Sequence, residues 1–169
     1  ASFRLKFEQG LHARGVDVTH DLSAGSDAVL VIAGTRNLFP LWKARQRGQR
    51  IEQRLDGINW VHRKRNTGIK HFLRAEYGNF ILSFIRKSIA SKIIYQSEFS
   101  RKWWEDWYGK TSVPATVIHN GVDLNTYSVG QESISSSSPY RLLVVEGSLG
   151  GGYDMGLDNA IKLAETLKE

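Results

Sequence analysis

Short runs of apolar and β-branched residues alternate along this chain with longer segments of helical periodicity, and this alternation limits the fold more than any other feature. Residues 28–33, AVLVIA, form a continuous apolar run of the kind buried in parallel sheets, and residues 50–55, 92–96 and 115–118 read as further strands. Residues 16–19, VDVT, alternate as a strand of their own. Phe3, Phe7 and Leu11 recur at helical spacing, with Ser2 as N-cap and Gly15 after Arg14 as the stop. Residues 38–47 give a short helix closed by Gly48, and residues 98–108 a helix closed by Gly109. Between them a basic, turn-rich stretch at 63–68 leads into a long amphipathic helix ending near Ala90. Strands joined by helices require crossover connections, so the expected fold is α/β, a Rossmann-like doubly wound parallel sheet with helices on both faces.

Residues 128–139 contain six serines, a glycine and a proline, a composition that suits a linker. Beyond it a fresh βα unit is expected, with a strand at 141–146, a glycine-rich loop and a helix near 156–168. The organisation expected is a first domain over 1–127, a linker over 128–139 and the opening of a second domain over 140–169. The chain begins Ala1-Ser2-Phe3 and stops at Glu169 within a helical pattern, so both ends read as cut. The absence of cysteine removes disulfides, thiol nucleophiles and Cys-ligated metals. No apolar run approaches the ~20 residues that span a bilayer, so a cytoplasmic location is expected.

The net charge of +6 is unevenly spread. Residues 36–110 hold 17 lysines and arginines against 6 acids, whereas the flanking segments are slightly acidic. Such a block suits an anionic partner or a solvated face. The chain has no zinc-finger spacing, no aromatic RNA-recognition strand and no basic heptads, which weighs against nucleic acid.

Sites in parallel α/β sheets lie at the carboxyl ends of strands, and four segments there carry chemistry. Arg54, Asp56, Asn59 and Trp60 leave one strand end together, a set able to bond sugar hydroxyls and stack a sugar ring. His119 and Asn120, followed by Gly121 and Asp123, form a turn at another strand end. Gly147, Ser148, Gly150, Gly151 and Gly152 lie between a strand and a helix, where backbone N–H groups can approach a phosphate. Met155 stands where a dinucleotide fingerprint needs glycine, and no Gly-Lys-Ser/Thr follows. Phe99, Trp103 and Trp107 recur at i, i+4 and i+8, a stripe expected to pack in the core, and the spacing of Glu98 and Asp106 reads as coincidence. The five histidines show no metal-ligand spacing.

With Ser97-Glu98-Phe99 after a strand, the Val117–Asp123 string, the linker, the strand opening at Leu142 with its glycine loop, and Gly156-Leu157-Asp158-Asn159-Ala160, the chain resembles a family-4 glycosyltransferase of the GT-B architecture. The resemblance implies two Rossmann-like domains enclosing a cleft and transfer of a hexosyl group from a nucleotide sugar to a sugar or lipid-linked acceptor. Retention, no metal and no cofactor are implied as well. Arg54, Asp56, Asn59 and Trp60 would then bind the acceptor, Ser97, Glu98, His119, Asn120 and Asp123 would line the cleft, and Gly147, Ser148 and Gly150 to Gly152 would hold the donor. The family's arginine and lysine near that last loop are missing, which leaves backbone amides as the phosphate grip. Its first strand and acidic helix motif are missing too, so the chain alone is expected to be inactive. An anionic membrane surface at the inner face of the membrane is the expected partner of the basic block. The rival readings are a basic anion- or nucleic-acid-binding α/β module and a nucleotide-sugar epimerase of similar shape.

Overall fold

A computed structural model describes residues 3–125, 143–145 and 155–167. The chain divides into two compact units, residues 1–59 with 76–120 and residues 60–75 with 121–169.

The first unit is built on a parallel sheet of β1 (Ala28–Ile32), β2 (Arg50–Leu55), β3 (Lys92–Tyr95) and β4 (Ala115–Val117), lying in the order β1-β2-β3-β4. Val29 pairs with Ile51, Gln53 with Ile93, and Tyr95 with Val117, so the odd-numbered residues of all four strands share one face. That face is the core. Val31, Ile51, Leu55, Ile93 and Tyr95 are all buried on it, beneath α2 (Leu38–Gln46), α4 (Ile69–Phe84) and α5 (Glu98–Tyr108). Leu41 and Ala44 of α2 meet Ile81, Ile85 and Ile89 over β1 and β2. Trp104 of α5 meets Leu55, Ile93 and Tyr95 over β2 and β3.

Two expectations about the sheet need correction. Strand order runs in one direction without a reversal among the described strands, so the sheet is singly wound there. Each right-handed crossover then lands on the same side, and the clusters put α2, α4 and α5 on one face instead of two. On the other face Leu30, Glu52, Ile94 and Thr116 are half-buried, and Arg54 is deeply buried beneath the ring of Phe3 in α1 (Phe3–His12), 3.7 Å from the guanidinium. Residues 16–19 form no strand, and Val16 is 45% exposed: four alternating residues with no neighbouring edge have no ladder to join. The strand expected at 141–146 fails for the same reason over its described part, where Leu143 is 85% exposed. The linker at 128–139 lies outside the described residues.

The remaining elements follow their local chemistry. Gly48 and Gly109, at φ +87° and +76°, end α2 and α5 in a conformation that a Cβ disfavours. α4 continues into a π turn, Ile85–Ile89, closed by Ala90 N–H donating to the Ile85 carbonyl. Arg86 within that turn is fully buried, and donates to the Tyr95 hydroxyl at 2.7 Å and to the Gly109 carbonyl at 2.9 Å. It thereby ties the π turn to β3 and to the end of α5. In the second unit, α3 (Val61–Lys64) leads through Asn66, whose Oδ1 accepts from Gly68 N–H, into the first turns of α4. α6 (Met155–Thr166) also belongs to that unit, with Asp158 paired to Arg65.

The aromatic stripe of α5 is also corrected. Trp104, one position from the expected stripe, is the fully buried residue, while Phe99 is 72% and Trp107 52% exposed. The helix has turned its single best-shielded indole inward, where Nε1–H donates to the Asp56 carbonyl at 2.7 Å. Trp104→Ala should therefore cost about 3–5 kcal/mol and Trp104→Phe about 1 kcal/mol, read as the shift in urea unfolding free energy.

Candidate functional site

Because all four strands are parallel, their carboxyl ends share one edge. The loop leaving β2 there is the most tightly held segment of that edge. Asp56 carbonyl accepts from Trp104 Nε1 and from Ser100 Oγ, each at 2.7 Å. Asn59 is gripped by the side-chain amide of Asn79, which accepts from Asn59 N–H at 2.9 Å and donates to Asn59 carbonyl at 2.8 Å. Between these clamps Ile58 is buried, and a Cβ on Gly57 would stand 3.0 Å from the Trp103 ring. The backbone of residues 56–59 is thus fixed by α4 and α5, while the side chains of Asp56 and Asn59 stay exposed. A carboxylate and an amide on a rigid loop can bond a polyhydroxylated ligand without losing freedom on binding.

Arg54 and Asn120 come together across the sheet. Arg54 Nη2 donates to Asn120 Oδ1, and Asn120 Nδ2 donates to Gln96 Oε1 at 3.0 Å, joining the ends of β2, β3 and β4. Burial draws the Arg54 guanidinium below its usual range, and the nearby Asp56 carboxylate partly restores it. With only 8% of its surface exposed, Arg54 acts on the edge by holding Asn120 and supplying a positive field.

The other expected residues separate by role and by unit. Ser97 is the N-cap of α5, its Oγ accepting from Ser100 N–H at 3.0 Å, and exposed Glu98 follows it in the first turn, where a negative charge suits the helix dipole. His119 is exposed beside Asn120. Trp60 and Asp123 belong to the second unit, where Asp123 Oδ1 accepts from Asn125 N–H at 3.0 Å. Gly147, Ser148, Gly150, Gly151 and Gly152 lie outside the described residues.

Sequence reasoning missed Gln53, Asn79, Gln96 and Ser100. Gln53 is fully buried on the core face and donates to the carbonyls of Ala33 at 2.9 Å and Leu82 at 3.2 Å. It braces the loop after β1, where Ala33 takes φ +60°, a left-handed conformation unusual for a residue with a Cβ. The available signal was polarity out of place: a glutamine at a core position of β2 and an asparagine on the apolar side of α4 need a backbone partner.

Two substitutions separate clamp from surface. Asn79→Leu preserves bulk but leaves the Asn59 backbone groups unpaired, and should lower stability by about 2 kcal/mol by chemical denaturation. Ser97→Ala should cost about 1 kcal/mol through the lost cap, seen in the same measurement.

No family model, curated protein or solved structure matches the chain.

Proposed function

We propose that this chain is the acceptor-binding part of a GT-B-type glycosyltransferase, with the opening of the donor-binding domain beyond residue 139. The observation that carries the reading is the preformed loop at residues 56–59: an exposed carboxylate and an exposed amide on a backbone clamped by Asn79, Ser100 and Trp104. Asp56 and Asn59 bond the acceptor's hydroxyls, and Trp60 supplies an indole for stacking. Arg54 positions Asn120 on the same edge. The donor is a nucleotide sugar whose diphosphate is held by backbone amides of the loop from Gly147 to Gly152. An acceptor hydroxyl displaces the nucleoside diphosphate at the anomeric carbon, with the retention and metal independence that the family resemblance implies. Positioning and electrostatic stabilisation supply the rate, since the proposal assigns no protein nucleophile. Among the described residues no helix is long and apolar enough to cross a membrane. The proposed place of work is the surface of an anionic membrane carrying a lipid-linked acceptor, which suits 17 bases against 6 acids over residues 36–110.

Acceptor binding tests the reading. Titrating the purified chain with soluble and lipid-linked sugars, followed by tryptophan fluorescence, should give saturation with one class, and Asp56→Ala should weaken it about tenfold with an unchanged unfolding midpoint. Absence of saturation with every sugar and nucleotide sugar, together with steeply salt-dependent binding of RNA or DNA, would replace it with the nucleic-acid reading.

A further inference from the structure

α2, α4 and α5 cover one face of the sheet, each following its strand in the order β1-β2-β3-β4, so α4 is the middle helix of the layer. Its flanks are both occupied: Ile81 and Ile85 pack with Leu41 and Ala44 of α2, and Leu82 packs against the cluster containing Trp103 and Trp104 of α5. A helix held beneath and on both sides keeps one ridge for the outside. In the first unit that ridge is Tyr77, Phe80 and Phe84, which are 52%, 63% and 40% exposed, with the Phe80 and Phe84 rings stacked at 6.4 Å. Beside it α2 exposes Phe39 and Trp42, also stacked, at 6.3 Å. Five aromatic side chains thus stand on the outer side of a layer whose inner side is already filled by Ile and Leu. Folding of this unit does not use them.

Their charged neighbours are of one sign. Residues 36–47 contain Arg36, Lys43, Arg45 and Arg47 and no acid. Lys43 Nζ lies 4.8 Å from the Phe39 ring centre, so cation and aromatic are presented together. Arg45 donates to the carbonyls of Ser88 and Ile89, and Arg47 to that of Leu22. Those partners are neutral, which anchors the two arginines without cancelling their charge. Lys87 extends the basic border beyond Phe84, and the one nearby acid, Glu76, is half-buried on the flank of the ridge. A protein partner of matching shape would be acidic and grooved. Aromatic rings on a convex helical ridge, bordered by lysine and arginine, instead match the headgroup region of a bilayer, where rings seat among acyl boundaries and cations meet phosphates.

We propose that the outer face of α2 and α4 docks on an anionic bilayer, with Phe39, Trp42, Tyr77, Phe80 and Phe84 entering the interface and Arg36, Lys43 and Lys87 facing lipid phosphate. The proposal rests on the membrane part of the reading above and is independent of sugar transfer; a chain that binds vesicles but no sugar would separate the two. The test is co-sedimentation of the whole 169-residue chain with phosphatidylcholine vesicles and with vesicles containing about one third phosphatidylglycerol. Expected is binding at least tenfold stronger to the anionic vesicles, weakened by salt, reduced fivefold or more by Phe80→Ser with Phe84→Ser and by Lys43→Glu. These positions are exposed, so circular dichroism and the unfolding midpoint should stay unchanged. Phe99→Ser on α5 serves as the matched exposed aromatic and should reduce binding less. Equal binding to neutral and anionic vesicles, or binding indifferent to the Phe80 and Phe84 changes, overturns the proposal. So does a dimer by light scattering that the same changes dissociate, since a second copy would then cover the face.

Discussion

Parallel strands cannot be joined by a tight turn, and the helices that this constraint inserts do the rest of the work in the first unit. Three crossovers stepping the same way deposit three helices on one side of β1 to β4. The covered side becomes a core of Ile, Leu, Tyr and Trp, and the helices' inner faces carry the polar groups that reach over the strand ends: Asn79 from α4, Ser100 and Trp104 from α5. Core and edge are therefore one construction. The indole that fills the space over β3 is the same group that fixes the Asp56 carbonyl.

Much of this was legible from residue pattern. The four strands emerged because runs such as AVLVIA have no polar interruption and are bounded by turn residues, and α5 was delimited on both sides by Ser97 and Gly109, whose capping chemistry is local. What failed needed knowledge of neighbours. VDVT alternates as well as any strand, yet alternation says nothing of whether an edge exists for it to join. The stripe at Phe99, Trp103 and Trp107 has perfect helical spacing, and Trp104 was nevertheless the residue taken inside, because the carbonyl that accepts its N–H belongs to a loop nearly fifty positions earlier. Sheet order was likewise invisible, since a sequence lists crossovers without their direction.

At the candidate site the division is similar. Arg54, Asp56, Asn59 and Asn120 were picked out by chemical type, and the structure brings Arg54 to Asn120. Type did not reveal which of them face outward. Arg54 has its charge folded under Phe3, while Asp56 and Asn59 remain available, and only the clamps from α4 and α5 explain why. A parallel sheet without a reversal lacks the crevice in which nucleotides usually settle, so recognition at this edge depends on loop groups held in place by helices.

The π turn bears on how this chain can change length. It closes five residues forward where an α turn closes four, so it holds a single residue of slack between Phe84 and Ser91. Deleting one residue there would let the helix close in the ordinary way and would rotate everything after it by about a hundred degrees, the angle one residue subtends. Arg86 would leave the Tyr95 hydroxyl and the Gly109 carbonyl, and β3 would enter the sheet with its alternate side chains exchanged. Insertions and deletions in related chains are thus expected to spare this stretch and to accumulate in the exposed connection at residues 16–25, where no ladder keeps count.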